Sequence, residues 1–384
     1  MSAKASLSTP EIEPAGKRRS GTEQYLYEVI TGKPGAVHAL LRVVLALLAP
    51  LYCLGLEIYL LPYNAGIRKR HRLRVPVICV GNLTTGGTGK TPMTQLVCRL
   101  LQEAGRNPVV LSRGYGGANE YGCAVVSDRD QVLLSAAEAG DEASMLARSL
   151  PGVPVVVGKD RRITGDLAVA TFAPDVIVMD DGMQYWQLHR DLNIVLLNAS
   201  KPFDNGYTFP RGLLREPKSH LRRAGLVVVT GIENATRSEI DTTIASVKRI
   251  CRQMPVFEAG LEPIGVRDIA DGVKYPLEWL RTRRPACMSA IGNPAAFESM
   301  VERLSAGVAQ RVRFRDHEAV GNERITDLLI AAEDAGADTL ITTEKDASRI
   351  VFPISNIPVV TLQVEMQIDE LQDFKQAIKT VAAQ

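Results

Sequence analysis

The sequence predicts an α/β protein: a P-loop NTPase-type, doubly wound parallel sheet, with a smaller C-terminal α/β lobe and an N-terminal membrane helix. Three observations predict it. A β-rich run at residues 75–80 (VPVICV) enters a glycine-rich loop that closes in Gly-Lys-Thr, and a stretch of helical spacing follows. Apolar β-like runs and helix-period stretches alternate from residue 75 onward. One apolar segment, residues 43–61, carries Glu57 as its only charge.

Composition sets the bounds. A chain of 384 residues, 46% apolar and 23% charged, fits two domains and an appendage, and excludes a disordered or collagen-like polymer. With 45 basic and 43 acidic side chains, a net charge of +2 gives no case for nucleic-acid binding. An aromatic content of 5% points to no base-stacking surface. The six cysteines form no C-x-x-C pair, which argues for a reducing compartment and against a zinc site.

Along the chain, residues 1–35 read as a polar, poorly ordered tail and 36–74 as a membrane-anchoring helix with a basic flank. Residues 75–257 read as the P-loop core, 258–284 as a strand-poor linker and 285–384 as the second lobe. Nineteen helical residues over 43–61 would span about 28 Å, close to a bilayer core. Arg68, Lys69, Arg70, Arg72 and Arg74 follow, suited to anionic head groups on the cytoplasmic side. Pro50 and Glu57 disfavour a straight span, so the segment either crosses the bilayer or lies in its interface. A second basic cluster, Arg211, Arg215, Lys218, Arg222 and Arg223, suits ATP or a phosphorylated lipid.

Strands are expected at 75–80, 108–112, 153–157, 175–180, 193–197 and 225–230, with helices at 92–104, 132–149 and 160–171. In the second lobe the expected strands are 286–291, 311–314, 338–343 and 357–363, with helices near 294–306 and 323–336.

The chemistry concentrates in the loop Thr84-Thr85-Gly86-Gly87-Thr88-Gly89-Lys90-Thr91. Glycines let backbone N–H groups turn toward a phosphate, and the following helix N-terminus adds partial positive charge. Lys90 reaches the β/γ-phosphates and the Thr91 hydroxyl suits Mg²⁺. Thr84 stands where the P-loop consensus has its first glycine. Residues 175–182 (DVIVMDDG) read as an apolar strand closing in Asp180 and Asp181, the pattern of a metal-holding Walker-B strand. Arg113 lies in a glycine-rich loop after another strand, on the ligand edge of such a sheet. Asp141, in Gly140-Asp141-Glu142, is open to two readings, a helix cap or the base that accepts the acceptor hydroxyl's proton. His317 and the Asp180/Asp181 pair compete for the second role. Thr342–Asp346 marks another strand end, read either as a site edge or as a helix cap.

The motifs GNLTTGGTGKTP, LSRGYGG, GDE, MDDGMQ, LREP, IGNP, FRDH and TTEKDA occur in one order between about residues 30 and 365. Together they resemble the tetraacyldisaccharide 4'-kinase family of lipid A biosynthesis. The resemblance implies transfer of the γ-phosphate of ATP to the 4'-hydroxyl of an acylated glucosamine disaccharide 1-phosphate. It implies ATP and Mg²⁺, and a catalytic domain on the cytoplasmic face of the bacterial inner membrane. By the same resemblance, residues 84–91 hold the nucleotide with Arg215 and Glu216, while Thr91, Asp180 and Asp181 hold the metal. Asp141 is the base with His317 as its partner, Lys90 acts on the transferred phosphate, and Arg113, Glu142 and Gln184 lie toward the substrate. Departures are Ala143 after GDE, Met183 after DDG, and Glu318 and Val320 after His317. Closure of the two lobes on nucleotide binding is expected, as in other kinases. A MinD/ParA-like membrane switch ATPase is the alternative, but Thr85 replaces that class's signature lysine.

Overall fold

The computed structural model describes residues 25, 28–30, 32, 34–315, 320–348, 350 and 352–382. Residues 1–24 of the polar tail, and His317 and Glu318, lie outside them. The chain divides into two compact units, one formed by Tyr25–Pro263 with Val364–Gln384 and the other by Ile264–Gln363.

In the first unit the elements run α1 (Ala36–Asn64), β1 (Val77–Asn82), α2 (Lys90–Glu103), β2 (Pro108–Ser112), β3 (Ala124–Ser127), α3 (Ala136–Ala139), α4 (Asp141–Ser149), β4 (Val155–Val157), α5 (Arg161–Phe172), β5 (Val176–Asp180), β6 (Leu192–Asn198), β7 (Leu226–Thr230) and α6 (Arg237–Ile250). The next strand, β8 (Val256–Asp268), leads into the second unit. That unit adds β9 (Lys274–Tyr275), β10 (Pro285–Ser289), α7 (Pro294–Leu304), β11 (Gln310–Arg313), α8 (Asn322–Asp334), β12 (Thr339–Thr343), α9 (Glu344–Ala347) and β13 (Val359–Ile368), and α10 (Leu371–Ala382) returns to the first unit.

The first unit's strand order is β8-β7-β6-β1-β5-β2-β4-β3, parallel except for β3. Every residue of β1 and β5 is buried, as a central parallel strand covered on both faces requires. The strand period sorts their side chains: Ile78, Val80 and Val178 pack with Val97 and Leu101 of α2, while Val77, Cys79 and Ile177 pack on the opposite face with Ala168 of α5. In the second unit the order is β11-β10-β12-β13, all parallel.

The structure differs from the sequence expectation in four places. Residues 258–268 are not linker but the body of β8, in which Ala259, Gly260, Gly265 and Val266 are buried. The expected helix over 132–149 is broken at Gly140, which turns at φ 85° between α3 and α4. Strand β3 was not expected. The chain's end is not part of the second lobe: Phe374, Ile378 and Ala382 of α10 join the first unit's core, with the Phe374 ring edge-on to Phe257 at 5.4 Å. Phe374→Ala is expected to cost about 3–5 kcal/mol, because that ring is fully buried and leaves a large cavity; chemical denaturation of the full chain checks it. At the end of β12 the cap reading holds. Thr343 caps α9 through the Asp346 N–H, and the Asp346 carboxylate accepts from the Ala290 N–H at 3.0 Å.

Candidate active site

The phosphate loop joins β1 to α2 at the C-terminal edge of the parallel strands, where doubly wound sheets bind ligands. No side chain caps α2; its N-cap is Gly89 in the left-handed region, φ 79°. The unusual Thr84 is explained by a strap. Thr84 bridges Leu214 in antiparallel fashion, the Thr85 N–H donates to the Leu213 carbonyl at 2.8 Å, and the Arg215 N–H donates to the Leu83 carbonyl at 2.8 Å. The loop therefore starts extended, where a β-branched residue suits better than glycine. Its base is pinned from both sides: Asn82 Nδ2 donates to Thr88 Oγ1 at 2.9 Å, and Thr230 Oγ1 donates to the Thr88 carbonyl at 2.9 Å. Gly86 and Gly87 form the exposed tip.

Asp180 ends β5 beside this loop, and Asp181 opens the turn that follows. Asp180 is buried and accepts from Thr94 Oγ1 at 2.9 Å. Burial first, then the carboxylates of Glu142 and Asp181, push Asp180 up to about 7, against the pull of Thr94 and Lys90. Asp181 is held the other way. Burial works against its charge, but Lys90 and Arg215 outweigh it and keep the carboxyl below the usual range. Lys90 Nζ lies 3.7 Å from Asp181 Oδ2, and Arg215 Nη1 lies 2.9 and 3.0 Å from its two oxygens. Asp181 adopts φ 45°, a left-handed conformation that costs a non-glycine residue about 1–3 kcal/mol. Arg190 supports that turn by donating to the carbonyls of Gly182, Met183 and Tyr185. Arg215 also donates to Gln184 Oε1 at 3.1 Å, and Gln184 Nε2 donates to the Asn82 carbonyl at 3.0 Å. Lys90, Asp180, Asp181, Gln184 and Arg215 thus form one connected group, with Glu142 close enough to act on Asp180.

The Arg-Gly-Tyr-Gly-Gly and Gly-Asp-Glu motifs meet at Gly140. A Cβ there would stand 2.6 Å from the Tyr115 carbonyl oxygen, so only glycine admits the approach. Asp141 is the first residue of α4 rather than its cap, and Gly140 holds the N-cap position. Gly140→Ala is expected to strain this junction and lower activity at least tenfold while the phosphate loop still binds nucleotide. Separate measurement of nucleotide affinity and turnover checks it. Arg113 pairs with Glu120 at 2.8 Å inside its own loop. Glu216 is not gathered around the phosphate loop: it is 1% exposed and pairs with Arg223 and, at 2.7 Å, with His220 Nδ1. Thr91 stands half-buried in the first turn of α2.

Sequence reasoning missed Thr94, Arg190, His220 and Arg161. Arg161 opens α5, is 3% exposed and donates to the Gly158 carbonyl at 2.8 Å. Burial lowers it to about 10, with the Asp180 carboxylate opposing that shift. Its position directly after a parallel strand, beside Asp160, was the available signal. Among the described residues, no cluster of three or more His, Cys, Asp or Glu is placed to hold a metal alone.

A parallel sheet whose Gly-Lys-Thr loop faces a carboxylate pair at the end of the adjacent strand defines a P-loop nucleotide enzyme. Comparison narrows the class. The family model described as tetraacyldisaccharide-1-P 4'-kinase matches residues 41–383. A tetraacyldisaccharide 4'-kinase of Geobacter metallireducens is 43% identical over 88% of this chain and 99% of its own length. One from Syntrophus aciditrophicus is 37% identical over 85% of this chain and 92% of its own. The crystal structure of the "apo" form of LpxK from Aquifex aeolicus in complex with ATP superposes with a TM-score of 0.72 and 29% identity, covering 89% of this chain and 99% of that one. The chain belongs to the tetraacyldisaccharide 4'-kinase family.

Proposed function

We propose that the protein is an ATP-dependent kinase that phosphorylates the 4'-hydroxyl of a tetraacyl glucosamine disaccharide 1-phosphate in lipid A biosynthesis. The observation that carries this reading is the convergence of Lys90 and Arg215 on Asp181, beside the buried Asp180, at the mouth of the phosphate loop. The backbone N–H groups of residues 86–91 cradle the β/γ-phosphates, and Lys90 takes up charge that develops on the transferred group. Arg215 fixes Asp181 and Gln184 and ties the strap to the loop, so the phosphate site is organised before the nucleotide arrives. Asp141, at the positive end of α4, orients the acceptor hydroxyl and removes its proton, with His317 as its partner by family resemblance. Arg113 and Glu142 lie toward the sugar.

The donor set fits a magnesium ion. Asp180 is a fully buried carboxylate pressed by two others, an arrangement that a divalent cation relieves. Magnesium takes much of its shell from phosphate and water, so no ready-made cage of three protein donors is needed. When bound, the ion neutralises charge on the β- and γ-phosphates. Thr91, Asp180 and Asp181 would hold it.

Helix α1 is long and apolar enough to cross a membrane. We read it as the lipid anchor that places the kinase on the cytoplasmic face of the inner membrane, beside its acylated substrate. The test is γ-labelled ATP offered with acylated glucosamine disaccharides in detergent micelles. Label is expected on the tetraacyl 1-phosphate, and label on none of them would refute the reading.

A further inference from the structure

We propose that α1 is a monotopic anchor: it lies along one leaflet, with both of its ends on the catalytic side, and does not cross the bilayer. The proposal rests on the reading of α1 as the lipid anchor and adds its topology.

The C-terminal half of the helix is docked on the phosphate-loop unit. Tyr52 OH donates to the Arg215 carbonyl at 2.8 Å, Cys53 Sγ lies 3.1 Å from Thr208 Oγ1, and Glu57 pairs with His220 Nε2 at 2.8 Å. Leu60 and Tyr63 are buried below them. The only acid of the apolar segment is therefore an ion-pair partner of the protein.

The chain that enters the helix is docked at the same place. Val29 is fully buried, and Asn205 Nδ2 donates to the Ile30 carbonyl at 3.2 Å. Asn205 and Thr208 are three residues apart, so their Cα atoms are at most about 11 Å apart. Ile30 and Cys53 are tied to these two residues. A helix that crossed a hydrocarbon core of about 30 Å would hold its two flanks on opposite faces, which this spacing forbids.

The part of the helix before the docked half is also too short to cross. Ala36–Leu51 rises about 24 Å, and Arg42 lies within it. What it does offer is a stripe. Leu40, Val43, Leu47, Leu51, Leu54 and Ile58 are spaced three or four residues apart and are 57–70% exposed, one continuous face of the helix.

Lipid is the occupant that the surroundings fit. Arg68, Lys69 and Arg72 are exposed just beyond the helix end. The Phe209 ring, 56% exposed, stands edge-on to Tyr52 at 5.8 Å, with Tyr59 and Tyr207 also exposed. Exposed aromatics beside cations mark the head-group level of an anionic leaflet. The apolar stripe then sits about 5–10 Å into the boundary between head groups and acyl chains.

The experiment uses the full chain in cells, with Val37→Cys in a background carrying Cys53→Ser, Cys123→Ser and Cys251→Ser. Membrane-impermeant maleimide is applied to spheroplasts, to inverted vesicles and to detergent-opened membranes. The expected result is a chain that sediments with membranes and is not labelled at position 37 in spheroplasts, reacting either in inverted vesicles or only after detergent. Labelling in intact spheroplasts overturns the proposal and leaves the anchor reading standing. A chain that stays in the supernatant, as monomer or oligomer, overturns the anchor reading and this proposal with it. Polarised infrared spectroscopy on oriented bilayers of phosphatidylethanolamine and phosphatidylglycerol gives a second readout. A helix axis more than about 40° from the membrane normal is expected, and one within the ordinary tilt range of spanning helices contradicts it.

Discussion

Replacing Lys90 with alanine is expected to lower kcat for phosphate transfer by about a thousandfold, with a smaller rise in KM for ATP. Removing one preorganised donor at a site of developing charge costs about two to three orders of magnitude, and phosphoryl transfer depends almost wholly on such charge stabilisation. The structure adds a reason for the effect to reach the upper end. Lys90 also stands 3.7 Å from Asp181, so its loss removes one of the three cations, with Arg215 and Arg161, that keep that carboxylate ionised. Lys90→Arg tests the second half of this account. A guanidinium restores charge but not the compact point-charge geometry, so it should rescue the Asp181 environment without restoring turnover. Circular dichroism of both variants should match the wild type, because Lys90 makes no contribution to the hydrophobic core.

Replacing Asp180 with asparagine should move activity and stability in opposite directions. The carboxyl titrates near 3.8 in an unfolded chain and near 7 in this fold. The fold therefore favours the protonated form. Its contribution to stability is full below about pH 4, where both states hold the proton, and is lost as pH rises from about 4 to about 7. Above that the buried carboxylate is ionised in a setting of two other carboxylates. At 1.36 kcal/mol per pKa unit, the cost at pH 8 is of the order of 4 kcal/mol. Asp180→Asn keeps an acceptor for the Thr94 hydroxyl and removes that cost. The ligand-free variant should melt several degrees above the wild type at pH 8, with a much smaller gain at pH 5, while phosphate transfer falls at least a hundredfold. Thermal melts across that pH range, paired with the transfer assay, check both. An equal gain at both pH values would mean that ionisation of Asp180 is not the source.

This trade of stability for function explains why the nucleotide site was the most legible part of the sequence. A glycine loop, a Lys-Thr pair and two carboxylates closing an apolar strand break local rules in a recognisable order. The parallel strands before residue 231 were also readable, because central parallel strands are short unbroken apolar runs between turn residues; the antiparallel β3 was not. Helix α10 was missed although Leu371, Phe374, Ile378 and Val381 have helical spacing; the pattern was present, but its position after the second lobe assigned it to the wrong unit. Residues 258–268 looked like linker because Pro263 and four charges interrupt them, yet β8 keeps all five at exposed or partly buried positions.

What the sequence could not show is long-range pairing. Thr94 and Asp180 are far apart in the chain, and nothing local distinguishes Thr94 from any other helical threonine. Glu57, His220, Glu216 and Arg223 form one ion-pair chain that joins the anchor helix to the segment after the strap. Read locally, Glu57 is a misplaced charge in an apolar helix, and the family resemblance sets Glu216 beside the nucleotide. In the structure both are partners of His220. The two hydrogen bonds hold His220 protonated above its ordinary range, although burial opposes this. Asp141 shows the reverse case: its position in the fold removes the capping role, and its chemistry still rests on family resemblance.

A kinase site moves phosphate from ATP to a sugar hydroxyl, whereas a switch ATPase releases it to water. The most direct measurement is ³¹P NMR of the lipid recovered after incubating the wild-type chain with ATP and tetraacyl disaccharide 1-phosphate in micelles. A second phosphomonoester signal is expected at the 4' position, formed in step with ADP and absent with Lys90→Ala. ADP accumulating with inorganic phosphate, while the lipid keeps its single phosphate, would contradict it.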